Sequence, residues 1–394
     1  MECSTLHPAW LVGRHSNRLT DKRHKRLKKI IKIDEVGLRS LSSLETAIWF
    51  ETLLAQHGIE ASIRQLTCTQ ISGGLMGSAV RYQFEYEKGE QDSAPNSLIV
   101  KFPSEDRQTL SSQGVLEAYE KEIQFYTQFH HVAQQIAPKL WFAHTYNGRA
   151  EDFILVLEDL TPLVASKLVD GCSYSQAKSA VEAAAKLHAS HWNDPSLSEE
   201  SWLAGGVKVL PADIMTTCWA EFQRRFSGVL TMEELTLGHQ FLASFDQWRL
   251  GLEDAPQCLV HRDFRLENVL FPAKAQDRTI AIVDWQLVAQ EAAPIDIAFF
   301  IGTSVDIENQ SKWESDLLAH YHATLVANGV TDYPMSSFME HYAWYSFWGL
   351  NVSVGSMMFA RNLEGDAMLL AMYRRASALI LANAFADALP RRRA

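Results

Sequence analysis

The stretch CLVHRDFRLENVLF, residues 258–271, constrains this chain more than any other. An apolar, strand-like run is broken by His261, Arg262, Asp263, Arg265, Glu267 and Asn268, then resumes as Val269, Leu270 and Phe271. A charge buried without a partner is driven to neutralise or to find one, so six polar side chains make a poor core. Between two apolar anchors they make a rigid edge to one. The stretch TIAIVDWQ adds Asp284 at the end of a β-branched strand. Asp263 and Asn268 lie five residues apart in a loop, and with Asp284 they bring two carboxylates and an amide oxygen to the ends of short strands. Such hard oxygens suit Mg²⁺, which keeps several waters and binds phosphates as well.

An earlier part of the chain supplies groups suited to phosphate. ISGGLMGSAV sets Gly73, Gly74 and Gly77 between two strand-like runs, where backbone N–H groups can approach an anion closely. Ordinary hairpin turns use glycine in the same way. Lys101 ends the run Leu98-Ile99-Val100, so it either escapes to solvent or turns inward and needs a counter-charge. In VLEAYEKEIQFYTQF, helical spacing puts Tyr119, Glu122, Ile123 and Tyr126 on one face, while Glu117 and Glu120 point elsewhere. A carboxylate in that apolar stripe requires a partner, and Lys101 is the expected one.

Composition removes several alternatives. The net charge of −11 argues against a general nucleic-acid binder. Five widely spread cysteines without a CxxC pair read as reduced thiols of a cytoplasmic protein. The first thirty residues lack the apolar core of a secretory signal. Tyr342 to Ala360 is uncharged over 19 residues, but its Asn351, serines and glycines favour a buried helix over a membrane span. Residues 1–40 form a basic arm with a balance of +6, leaving −17 for the rest; such runs make solvated faces or contact nucleic acid or membranes.

The periodicities predict two lobes. A helix from SLSSLETAIWFETLLAQHG stops at Gly58, and Val80, Tyr82, Phe84 and Tyr86 alternate as a half-buried strand. NSLIVKF and EDFILVLEDL are further strands. Beyond Leu160 long helices take over, with Ser173 and Gln176 as a capping box. Only QCLVHRDF, NVLF and TIAIVDW look strand-like there. The fold class is α+β, with a small antiparallel sheet lobe at 41–157 and a larger, mainly helical lobe at 158–394.

The order of glycine turn, strand lysine, helix glutamate, HRDFRLEN and strand aspartate resembles the bilobal protein-kinase-like fold. It is similar to the branch of small-molecule phosphotransferases that includes aminoglycoside and choline kinases. Through SGGLMGS, YEKEIQFY, LVLEDL, AAAKLHASHW, HRDFRLENVLF and IVDWQ it most resembles the ecdysteroid-kinase-like group. The resemblance implies ATP and Mg²⁺ as cofactors. Gly73, Gly74, Gly77 and Ser78 would cradle the nucleotide, Lys101 would contact its α- and β-phosphates under the hold of Glu122, and the Glu158 backbone would meet the adenine. Asp263 would act as catalytic base, and Asn268 and Asp284 would bind the metal. Asp296 would brace the loop, and His261 would orient it. Arg265 either reaches the γ-phosphate or stands in solvent. Arg262 departs from the glycine usual in small-molecule kinases, and Trp285-Gln286 replaces the Phe-Gly of protein kinases.

Only nine residues, WQLVAQEAA, separate Asp284 from Pro294, and none is Ser, Thr or Tyr. That leaves no phosphorylatable activation loop and no platform for a peptide, so a small hydroxyl-bearing acceptor is expected. Trp344, Tyr345, Trp348, Met357, Met358 and Phe359 either form a helical core or line an apolar pocket for a sterol-like or acyl-type alcohol. The alternatives are a cationic acceptor of the aminoglycoside or choline type, and a nucleotide-binding pseudokinase scaffold.

Overall fold

The computed structural model describes residues 33 and 37–389, apart from 72–76, 88–92, 107–109, 111–112, 130, 133–135, 150, 204–209, 252–253, 273–279 and 359–362. They fall into two compact units, one drawn from Met1–Ala133 and Pro138–Leu160, the other from Gln134–Ala137 and Thr161–Ala394.

In the first unit, helix α1 (Ser43–Gln56) begins where the Glu45 carboxylate accepts the Ser42 backbone N–H at 2.9 Å. It ends ahead of Gly58, whose φ of +78° is left-handed and suits a residue without Cβ. Strands β1 (Ile63–Ile71), β2 (Gly77–Tyr86) and β3 (Ser97–Pro103) precede helix α2 (Gln113–Gln128), and β4 (Leu140–Thr145) and β5 (Phe153–Glu158) follow it. The sheet is antiparallel, in the order β1-β2-β3-β5-β4. Trp49, Phe50 and Leu53 of α1 pack with Tyr82, Phe84 and Val100 in its core. Each fully buried large apolar side chain contributes about 1.5–3 kcal/mol.

Most of the expected basic arm, residues 1–32 and 34–36, lies outside the described residues. Ile33 and Leu38 belong to the core of this unit, and the Tyr146 hydroxyl donates to the Ile33 carbonyl at 3.0 Å. A truncation meant to test the arm alone must therefore stop short of Ile33.

The second unit opens with β6 (Leu163–Ala165) and helices α3 (Tyr174–Ser190), α4 (Ala212–Arg225) and α5 (Met232–Trp248). The expected capping box of α3 is present: Ser173 Oγ accepts from Gln176 N, and Gln176 Oε1 from Ser173 N. Four short strands follow: β7 (Gln257–Val260), β8 (Val269–Pro272), β9 (Ala281–Ile282) and β10 (Ala289–Ala292). β7 pairs with β10, and β8 lies between β6 and β9. Helices α6 (Pro294–Ser304), α7 (Ile307–Ala327), α8 (Met335–Tyr345), α9 (Trp348–Gly355) and α10 (Leu363–Ala382) complete it.

Every residue of α6 is buried, as its all-round apolar sequence requires. Helices α8 and α10 pack on α6, and α9 packs on α10. A methyl group on Gly349 of α9 would come within 2.7 Å of the Ala376 Cβ, so glycine permits that close approach. The uncharged run from Tyr342 is divided by the break between α8 and α9, and no helix among the described residues is long and apolar enough to cross a membrane. Tyr345, Trp348 and Met357 are buried, Trp344 is half-buried and Met358 is exposed; Phe359 lies outside the described residues.

Candidate active site

In the second unit the apolar strand β7, with Cys258, Leu259 and Val260 fully buried, delivers the chain to His261. Arg262 then adopts a φ of +64°, a left-handed conformation that costs a non-glycine residue about 1–3 kcal/mol. The surroundings hold it there. From the first turn of α6, Asp296 Oδ2 accepts the His261 N–H and Oδ1 the Arg262 N–H, both at 2.7 Å. The Trp348 indole N–H donates to the Arg262 carbonyl at 2.9 Å, and the Arg262 guanidinium lies 4.8 Å from the centroid of that ring. Behind Asp296, His188 Nε2 donates to Oδ2 at 3.1 Å, which leaves its Nδ1 to accept from the Tyr321 hydroxyl at 2.8 Å.

The loop so braced carries Asp263. Its Oδ2 accepts from Asn268 Nδ2 at 2.9 Å, and its Oδ1 lies 3.2 Å from Arg265 Nε. Burial pushes the Asp263 carboxyl above the usual range; Arg265, His261 and Asn268 oppose this, whereas the Asp284 charge adds to it. Arg265 does not stand in solvent: it is 15% exposed and forms an ion pair with Glu267 at 2.9 Å. Burial disfavours its charge, but Asp263, Glu267 and Asp284 together hold its pKa above the ordinary value.

Asp284 also adopts a left-handed φ, +68°, where β9 gives way to the short turn Trp285–Leu287. Its position is tied to the loop. Val283 N donates to the Asn268 carbonyl at 2.9 Å, and the His261 Nε2–H to the Val283 carbonyl at 3.0 Å. The His261 ring also meets the Trp285 ring edge-on at 4.7 Å. One of these two non-glycine outliers immediately precedes Asp263 and the other is Asp284 itself, and backbone strain of this kind clusters at functional sites.

These groups suit a hard cation. The Asn268 amide nitrogen is committed to the Asp263 carboxylate and to its carbonyl, each at 2.9 Å, which directs the amide oxygen the other way. The Asp284 charge adds to the proton affinity of Asp263, and such crowding of negative charge is relieved by a nearby cation. Among the described residues no group of three or more His, Cys, Asp or Glu side chains could hold a metal ion by itself.

In the first unit, Lys101 Nζ donates to Glu122 Oε1 at 2.6 Å, and the Glu122 side chain is 1% exposed. Tyr119 and Tyr126 share its buried face, joined by Phe125, while Ile123 is half-buried. Gly77 and Ser78 open β2; Gly73 and Gly74 lie outside the described residues. Glu158 closes β5, where its carboxylate accepts the Lys139 N–H at 3.0 Å.

Sequence reasoning assigned no role to His188 or Trp348 at the loop. His188 offered a signal, as the polar member of the stripe Ala177, Ala180, Ala184 and Leu187 on α3. Trp348 offered none beyond its size.

A polar loop locked at the edge of a helical unit, and in the other unit a strand lysine held by a helix glutamate, are features of a small-molecule phosphotransferase with a kinase-like fold. The chain belongs to the phosphotransferase enzyme family, whose sequence pattern matches residues 67–334, more than half its length. No curated protein matches it. Among solved structures it is similar to a microcompartment-associated aminopropanol kinase, at 12% identity over 86% of this chain and 99% of that one, with a TM-score of 0.50. It is also similar to a Plasmodium vivax ethanolamine kinase, at 10% identity, 91% and 95% coverage and a TM-score of 0.49. A type I macrolide 2′-phosphotransferase matches at 16% identity, 84% and 97% coverage and a TM-score of 0.43. At such identities the likeness concerns the fold alone.

Proposed function

We propose that this chain is an ATP- and Mg²⁺-dependent kinase that phosphorylates the hydroxyl of a small, apolar alcohol of the sterol-like or acyl type. The observation that carries the kinase reading is Asp263, fixed by Asn268 and Arg265 on a loop whose backbone Asp296 holds at two points. Asp263 takes the proton of the acceptor hydroxyl as that oxygen bonds to the γ-phosphorus; the bond to the β-bridging oxygen breaks, and ADP leaves. Asn268 and Asp284 would hold Mg²⁺, which when bound would supply neutralisation of the phosphate charge. Lys101, aimed by Glu122, contacts the α- and β-phosphates, and Gly73, Gly74, Gly77 and the Glu158 backbone contact the nucleotide. Arg265 reaches the γ-phosphate. His261 orients the loop through Val283 and does not react.

The apolar acceptor and the ecdysteroid-kinase-like affinity rest on less. Of the aromatic and methionine side chains of the C-terminal helices, half-buried Trp344 and exposed Met358 remain for a ligand, while Tyr345, Trp348 and Met357 are committed to packing. Detection of a phosphate monoester by mass spectrometry tests the acceptor. Sterol-like and acyl alcohols are expected to be converted with higher kcat/KM than choline or aminoglycosides, and the opposite ranking refutes the apolar reading.

Two outcomes concern the metal and the base. Asp284→Ala is expected to weaken Mg·ATP binding in calorimetry, with little effect on ATP binding without Mg²⁺. The raised pKa of Asp263 fixes the sign of the pH dependence. A protonated carboxyl cannot accept the hydroxyl proton, so kcat/KM falls as pH drops through that pKa, with a midpoint above the ordinary value of about 3.9.

A further inference from the structure

Arg39 stands in the short turn Leu38–Ser40, ahead of α1. Its Nη2 donates to Ser78 Oγ at 2.7 Å and to the Pro103 carbonyl at 3.0 Å. Its guanidinium lies 4.6 Å from the centroid of the Phe102 ring, and Glu105 is 3.8 Å away. Burial disfavours its charge and lowers its pKa, while Glu105 acts the other way. A partly buried cation is a costly filler, so what it joins matters.

The register of β2 and β3 shows what that is. Gly77 stands opposite Pro103, Ser78 opposite Phe102, and Ala79 opposite Lys101. Cross-strand partners share a face and successive residues alternate, so Ser78 and Phe102 point one way and Lys101 the other. From the face opposite Lys101, one guanidinium ties the first residues of β2 to the end of β3. Those are the strand ends that carry Gly77 and Lys101.

We infer that Arg39 is a positioning residue for the nucleotide, so that the segment ahead of the first helix sets Mg·ATP affinity. The inference rests on the reading of Lys101 as a phosphate ligand. Arg39 touches no reacting atom; it acts through the geometry of β2 and β3.

Calorimetric Kd for Mg·ATP, the KM of each substrate and the melting temperature test this in Arg39→Ala, Arg39→Lys, Ser78→Ala and Lys101→Met, all in the full chain. Arg39→Ala is expected to raise Kd and KM for Mg·ATP about tenfold, the worth of one charge-assisted hydrogen bond, with the acceptor KM unchanged. Arg39→Lys restores part of the affinity. Ser78→Ala shows a smaller effect that does not add to that of Arg39→Ala, and it carries the test if Arg39→Ala folds poorly. Wild-type affinity in Arg39→Ala and Ser78→Ala, beside a loss in Lys101→Met, overturns the inference and leaves the reading of Lys101 standing. Wild-type affinity in Lys101→Met overturns both. An equal rise in both KM values marks general loosening and also overturns it.

Discussion

Asp263→Asn is expected to abolish turnover while leaving the fold intact. The substitution keeps the shape of the side chain and removes the proton acceptor. General base catalysis supplies about 10²–10⁴-fold in rate, so kcat should fall by at least that lower bound. The Kd for Mg·ATP, set by Lys101, Asn268 and Asp284, should move by no more than about twofold. Stability should move the other way from activity. A carboxyl whose folded pKa is raised binds protons more readily folded than unfolded. Between the unfolded and folded pKa values, stability therefore falls as pH rises, and above both the ionised form weakens the fold. The neutral amide removes that cost, so the variant should melt no lower than wild type at neutral pH. A fully active variant would remove Asp263 from the mechanism.

Asp296→Ala should have the largest effect on the fold. One buried carboxylate accepts the backbone N–H groups of His261 and Arg262 and the Nε2–H of His188. Without it three buried donors lose their acceptor, and breaking a buried charged cluster of this kind costs about 3–5 kcal/mol. The denaturant midpoint should drop accordingly with an unchanged slope. Turnover should fall with it, because Arg262 would no longer be held in its left-handed conformation beside Asp263. Asp296→Asn, which keeps one carbonyl acceptor, should lie between wild type and alanine in both respects. Wild-type stability in Asp296→Ala would show that the loop is held by other means.

The parts of this arrangement that were legible in the sequence are those set by local period. Glu122 announced itself as a carboxylate on an apolar helical stripe, and its pairing with Lys101 follows from the cost of leaving either alone. The Ser173–Gln176 capping box and the Gly58 stop are likewise local. Strands β4, β6 and β10 were not legible. The sequence Ala-Gln-Glu-Ala of β10 has little intrinsic strand preference, and its pairing with the apolar β7 is a tertiary effect. The uncharged run from Tyr342 reads as one long helix, yet the chain breaks at its second turn.

Contacts between distant residues were the least visible. Asp296 was expected to brace the loop, but His188 of α3 reaches Asp296, Tyr321 of α7 supports His188, and Trp348 at the start of α9 reaches the loop. Arg39 belongs to a segment read as a solvated arm, and its bonds to Ser78 and Pro103 span 39 and 64 residues. Nothing in the periodicity of either partner marks such a pair.

In the proposed reaction Asp263 drives phosphoryl transfer from Mg·ATP to a small alcohol. Its most direct test is ADP formation by the wild type and by Asp263→Asn across a panel of sterols, acyl alcohols, hydroxy acids, choline, sugars and aminoglycosides. Stimulation by one class of acceptor is expected in the wild type and none in the variant, with both proteins still binding Mg·ATP. Equal stimulation in the two proteins, or a wild type that binds no nucleotide, would contradict it.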